Sequence, residues 1–135
     1  MQQQLTNLTI LLMVFDMPRS LQFYVDGLGF ELVQSAGPEG DIGWVMLRRE
    51  GIYLMLNTFY ELPDRPDQLD VQQIKHHGDV ILYFGCPTLD QHYEELRAKG
   101  LQPNPPYQTG YGFKAMDLTD PDGYKLCFQW ELAEE

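Results

Sequence analysis

Basic residues are scarce in this chain: 9 Lys and Arg stand against 20 Asp and Glu in 135 residues, for a formal net charge of −11. Nucleic acids and anionic membrane surfaces both require clustered Lys and Arg, so neither is expected as a partner. Cysteine is nearly absent. Cys86 and Cys127 lie far apart with no C-x-x-C spacing, which argues against a disulfide framework or zinc knuckle and fits a reducing cytoplasm. Long apolar runs are missing as well. The longest, LTILLMVF, falls far short of the roughly 20 residues a membrane span needs, and the opening MQQQ has no basic residue of the kind targeting segments carry. A cytoplasmic protein without a membrane anchor is the expectation.

What the chain does have is enough apolar sequence, 44%, for one domain with a real core, spanning residues 1–135. It also has an internal repeat. TILLMVFDMPRSLQFYVDGLGFELV reads strand, turn, helix, turn, strand, and so does DVILYFGCPTLDQHYEELRAKGLQPN, with Tyr24 matching Tyr93 and Gly27-Leu28 matching Gly100-Leu101. Further on, GWVML at 43–47 recurs as GFKAM at 112–116, and GIYLML at 51–56 recurs as GYKLCF at 123–128. Each half is therefore a β-α-β-β-β module, the first over about 5–58 and the second over about 78–132. The Pro- and Asp-rich segment of about 59–77 is a surface linker, with room for a short helix around Val71 to Lys75. The fold class is α+β: two tandem β-α-β-β-β modules forming a curved mixed sheet around a cavity, with helices on the outer face.

Strand alternation separates two faces. Leu8, Ile10, Leu12 and Val14, with Ile52, Leu54, Leu56, Val80, Leu82, Phe84, Leu126, Phe128 and Trp130, make an apolar face that packs under the helices. The opposite face mixes polar with apolar: Thr9, Leu11, Met13, Tyr53, Met55, Asn57, Asp79, Ile81, Tyr83, Lys125, Cys127 and Gln129. Such a face lines a cavity or wet groove more readily than a dry core, because unpaired buried polar groups are costly. The structural alternative is a plain solvated sheet surface, for which Leu11, Met13, Met55 and Ile81 are poor choices. His92 lies among charges in DQHYEELRAKG and is expected to be exposed; His76 and His77 read as a solvated loop pair.

The stretch V-F-D-M-P-R-S-L-Q-F-Y-x-x-G-L-G-F at 14–30, the D-P-D-G-Y-K-L at 120–126 and the paired modules resemble the vicinal oxygen chelate superfamily, which includes glyoxalase I, extradiol dioxygenases and bleomycin resistance proteins. In its metal-using members, cavity-facing positions on the first and last strands of each module supply ligands. The resemblance puts those positions at Thr9, Met55, Asp79 and Cys127, a poor donor set for any one metal. A displaced set of His77, Asp79 and Glu131 is the alternative, and would imply a metal-dependent enzyme of glyoxalase or dioxygenase type. Cys127 as a nucleophile lacks a neighbouring base.

GWVMLRREGIYLMLNTF at 43–59 looks most like the bleomycin resistance branch, whose members use no metal and bind a cationic, aromatic-bearing antibiotic as dimers. The resemblance then implies a small organic ligand, no cofactor, no catalytic residue and a homodimer. The residues expected to bind the ligand are Trp44, Tyr53, Met55, Asp79, Tyr83, Tyr107, Tyr111, Phe113 and Cys127. The loop NPPYQTGYGF is the one best suited to close over it. A ligand-free assembly or regulatory module is the remaining reading.

Overall fold

The computed structural model describes residues 4–133. The chain divides into two compact units, Met1–Pro66 and Asp67–Glu135, so the boundary falls inside the Pro- and Asp-rich linker. Each unit carries one four-stranded mixed sheet and helices, an α+β architecture built twice.

In the first unit the strands are β1 (Ile10–Val14), β2 (Glu31–Ala36), β3 (Trp44–Arg49) and β4 (Ile52–Thr58), in the order β1-β4-β3-β2. β1 runs parallel to β4, and the other pairs are antiparallel. A parallel pair needs a crossover, which here is the helix between β1 and β2. That helix opens at α1 (Met17–Leu21), where the Asp16 side chain accepts the Arg19 backbone N–H at 3.3 Å and Pro18 occupies the first turn. It continues as a π-helical turn over Gln22–Gly27, with Leu28 N–H donating to Phe23 C=O at 2.9 Å. Phe23 and Tyr24 on this turn are buried, as are Leu12, Val14, Val45, Leu47, Leu54 and Leu56 of the strands. Each such side chain contributes about 1.5–3 kcal/mol of burial.

The second unit repeats this plan. Its strands are β5 (Ile81–Gly85), β6 (Tyr107–Gln108), β7 (Phe113–Thr119) and β8 (Lys125–Glu131), in the order β5-β8-β7-β6. α3 (Leu89–Ala98) crosses between the parallel strands β5 and β8 and buries Leu89, His92 and Leu96. Those three lie at helical spacing on one face, over Met116, Leu118, Leu126 and Phe128.

Several sequence expectations need correcting. His92 is buried, 6% exposed, with its ring edge-on to Phe128 at 4.7 Å; its place in the Leu89-Leu96 stripe outweighs its charged neighbours. The glycine with a left-handed backbone after the first helix is Gly29, φ 79°, in the role Gly100, φ 86°, has in the second module. The π turn shifts the first helix, so the Tyr24-Tyr93 and Gly27-Gly100 matches of letters are not structural equivalents. Leu8, Ile10, Ile52, Val80 and Trp130 are exposed rather than covered by helices, because each stands at or just beyond the end of a strand. His77 belongs to a helix, α2 (Val71–His77), and β5 begins only at Ile81.

α2 is docked on the DPDG turn. Its His77 ring stacks on Tyr124 at 4.1 Å; Nδ1 donates to the Asp122 carbonyl at 2.6 Å, and Nε2 stands 3.3 Å from the Tyr124 hydroxyl. Asp120, buried, accepts the backbone N–H groups of Asp122 and Tyr124, each at 2.9 Å, which locks the turn. Gly123, φ 91°, lies so close beneath Ile74 that a Cβ there would run into the Ile74 carbonyl oxygen.

Candidate functional site

The mixed face of the second unit carries the densest chemistry. On β7 the alternation puts Met116 and Leu118 under α3, and Phe113, Ala115 and Asp117 on the other side. The antiparallel register sets Asp117 directly beside Cys127 and Ala115 beside Gln129; the parallel register sets Tyr83 on the far side of Cys127. Tyr83, Cys127 and Asp117 therefore form one row across the sheet. Tyr107, paired with Ala115 from the edge strand β6, donates its hydroxyl to the Asp117 carboxylate at 2.8 Å. The Tyr111 hydroxyl donates to Gln129 Oε1 at 2.7 Å, and its ring lies 5.2 Å from Phe113.

The NPPYQTGYGF loop is thus held down as a hairpin. Thr109 N–H donates to the Phe113 carbonyl at 2.7 Å, Phe113 N–H donates to Thr109 Oγ1 at 3.0 Å, and Gly112, φ 86°, turns the chain. Its tyrosines remain exposed at the rim while Ala115 and Cys127 beneath are buried. Burial, then the Asp117 charge and hydrogen bond, push the Cys127 thiol up to about 11. The Asp117 hydrogen bond, then burial, push the Tyr107 phenol up to about 12. Both groups are neutral at pH 7, so the row presents one carboxylate among aromatic rings. Lys125, one row away beside Ile81 and Thr119, is exposed.

The mixed face of the first unit is more apolar. Rows in register are Leu11, Met55 and Met46, then Met13, Asn57 and Trp44. Tyr53 lies beside Arg48, which is held above its usual range by the Tyr53 hydroxyl first and then by Glu31 at 3.3 Å. Leu11 and Tyr53 are exposed, as are Ile81 and Tyr83 of the second unit.

Of the residues expected to bind ligand, Trp44, Tyr53 and Met55 share the first face, and Tyr83, Tyr107, Phe113 and Cys127 share the second, with Tyr111 at its rim. Asp79 does not join them. It stands in the turn between α2 and β5, its N–H bonded to the His76 carbonyl at 3.1 Å. Asp117 was missed. Reading FKAMDLT by alternation and counting back through the DPDG turn from Cys127 identifies it from sequence alone.

Within each unit, the positions expected to ligate a metal are not strand neighbours. Leu11, not Thr9, is the neighbour of Met55, and Tyr83, not Asp79, is the neighbour of Cys127. The displaced set fares no better: His77 is tied to Asp122 and Tyr124, and Glu131, paired with Phe113, lies at the opposite end of β8 from Lys125 and Ile81. Six strand residues span about 20 Å. Among the described residues, no group of three or more His, Cys, Asp or Glu is placed to hold a metal ion.

Solved structures share this fold. TioX from Micromonospora sp. ML1 matches with TM-score 0.73 at 19% identity, covering 94% of this chain and 99% of that one. TnmS3, an antibiotic binding protein from Streptomyces sp. CB03234, matches with TM-score 0.69 at 19% identity over 96% and 99%. A bleomycin resistance determinant encoded on the transposon Tn5 matches with TM-score 0.68 at 21% identity over 94% and 98%. At these identities the likeness is one of fold. No curated protein sequence matches the chain. The family model described as Glyoxalase/Bleomycin resistance protein/Dioxygenase superfamily matches residues 7–128, and the chain belongs to that superfamily.

Proposed function

We propose that this protein binds and sequesters a small organic molecule with a positively charged group and an aromatic or apolar body, such as an antibiotic, without a metal and without turnover. The carrying observation is the Asp117 carboxylate set among Tyr83, Tyr107, Tyr111 and Phe113 on the second mixed face. Aromatic faces attract cations by their quadrupoles, and a carboxylate beside them adds charge. The acidic balance of −11 raises the local concentration of cations. The antibiotic binding protein and the bleomycin resistance determinant of like fold support a binding role.

The exposed Leu11, Tyr53, Ile81 and Tyr83 support a homodimer in which a second copy covers part of these faces. A cytoplasmic location accords with Cys86 and Cys127 not being joined in a disulfide.

Two experiments test this reading. Thermal-shift screening with bleomycin and a panel of aromatic cations should raise the melting temperature for a subset of cations and not for their neutral analogues. Dialysis against Ni²⁺, Mn²⁺, Fe²⁺ and Zn²⁺ in turn, followed by removal of excess ion, should leave well below one metal per chain. Near-stoichiometric retention would overturn the metal-free reading.

A further inference from the structure

We infer that the first unit holds a second small-molecule site, distinct from the mixed sheet faces, that takes a compact aromatic amine in its protonated form. The site is an open cleft of about 450 Å³ at the C-terminal ends of the parallel strands β1 and β4, roofed by the start of the linker. That volume lies within the range of small-molecule pockets. Met17, Leu21, Ile42, Tyr60 and Leu62 supply apolar lining from three separate segments.

The walls are fixed by bonds that need no occupant. Phe59 N–H donates to Val14 C=O at 3.0 Å, and Thr58 N–H to Gly43 C=O at 2.8 Å, which hold the linker and the β2-β3 loop to the strand ends. In that loop Asp41 N–H donates to Pro38 C=O at 2.9 Å, and Gly37, φ 118°, packs where a Cβ would stand 2.8 Å from the Asp41 carbonyl. Leu62–Asp64 forms a 3-10 turn, closed by Arg65 N–H to Leu62 C=O. A cleft so braced is preformed, which lowers the ordering cost of binding.

Charge selects the occupant. Arg65 is engaged within the cleft, 3.8 Å from Asp16 and over the Phe15 ring at 5.3 Å, so its charge is already matched by one carboxylate. Asp41 is the second carboxylate. Its Oδ2 accepts only the long 3.5 Å bond from Leu62 N–H, and among the described residues no cation pairs with it. The lining thus carries one net negative charge beside an apolar floor, complementary to an ammonium on an aromatic body and repulsive to a carboxylate.

The test uses three probes of similar shape and different charge: 2-phenylethylamine, 2-phenylethanol and 3-phenylpropanoate. Each is titrated into ¹⁵N-labelled protein and followed by amide chemical shifts. The amine should give saturable shifts at Asp41, Ile42, Tyr60 and Leu62, with the alcohol at least fivefold weaker and the propanoate weaker still. Asp41→Asn should weaken the amine at least fivefold and leave the alcohol unchanged. Shifts confined to residues such as Tyr83, Tyr107 and Asp117 would overturn the inference while leaving the ligand-binding face of the second unit intact. So would propanoate binding as tightly as the amine, or absence of any saturable shift in the cleft.

Discussion

Asp117 governs its neighbours through one carboxylate. It accepts the Tyr107 hydroxyl and raises the Cys127 thiol to about 11, adding to the larger effect of burial. Iodoacetamide at pH 8 should therefore label Cys86, which is half-buried, at least tenfold faster than Cys127. Equal labelling by mass spectrometry would contradict the burial of Cys127. A pH dependence follows as well. Both groups have folded-state values above their ordinary ones, so the fold favours their neutral forms; stability is full below the unfolded values and is lost as pH rises, through about 11 for Cys127 and about 12 for Tyr107. Denaturant midpoints measured from pH 8 to 11.5 should be flat at first and then fall, and a Cys127→Ala, Tyr107→Phe double variant should fall less. Cys127 was legible as a mixed-face residue by alternation. Its neighbours were missed because the strand pairing was not counted through the DPDG turn, which sets the register that gives it Asp117 and Tyr83. His92 was misread for a similar reason: its chemical neighbours in sequence are charged, but its neighbours in space at three and four residues are Leu89 and Leu96.

At the level of elements, the clearest joint is α2 on the DPDG turn. Gly123→Ala combines a positive φ of 91° with collision against Ile74, whereas Gly100→Ala has a similar φ of 86° and open space around it. Gly100→Ala should cost about 1–2 kcal/mol, the left-handed penalty alone. Gly123→Ala should cost at least about 2 kcal/mol more than that, since backbone must move. Urea denaturation of the two variants separates the effects, and equal costs would mean that α2 does not press on the turn. The strands were legible from alternation with a period of two, and the linker helix from Val71 onward was anticipated. The π turn at Gln22–Gly27 was not: no single residue type encodes it, and it is marked only by the burial of the adjacent Phe23 and Tyr24.

For the whole molecule, the doubled module was readable because two copies of one pattern in 135 residues are hard to produce by chance alignment of strands. Which of the superfamily's roles the chain has was less readable, since the fold hosts several and the choice rests on a few side chains per face. The net charge of −11 makes a further expectation concrete. Affinity for a cation should fall several-fold between low salt and about 0.5 M salt, where the screening length drops well below 10 Å, while a neutral analogue is unaffected. Sedimentation should show a dimer, with Tyr83→Glu shifting it toward monomer by placing charge on an exposed apolar face.

The central claim is that the Asp117 face holds an aromatic cation, and calorimetric titration of ethidium into the native protein and into Asp117→Asn tests it most directly. We expect saturable binding to the native protein and at least tenfold weaker binding to the variant, with both proteins melting within a few degrees of each other. Equal affinity for the two, or no saturable heat with the native protein, would contradict the assignment of Asp117 as the anionic anchor of the site.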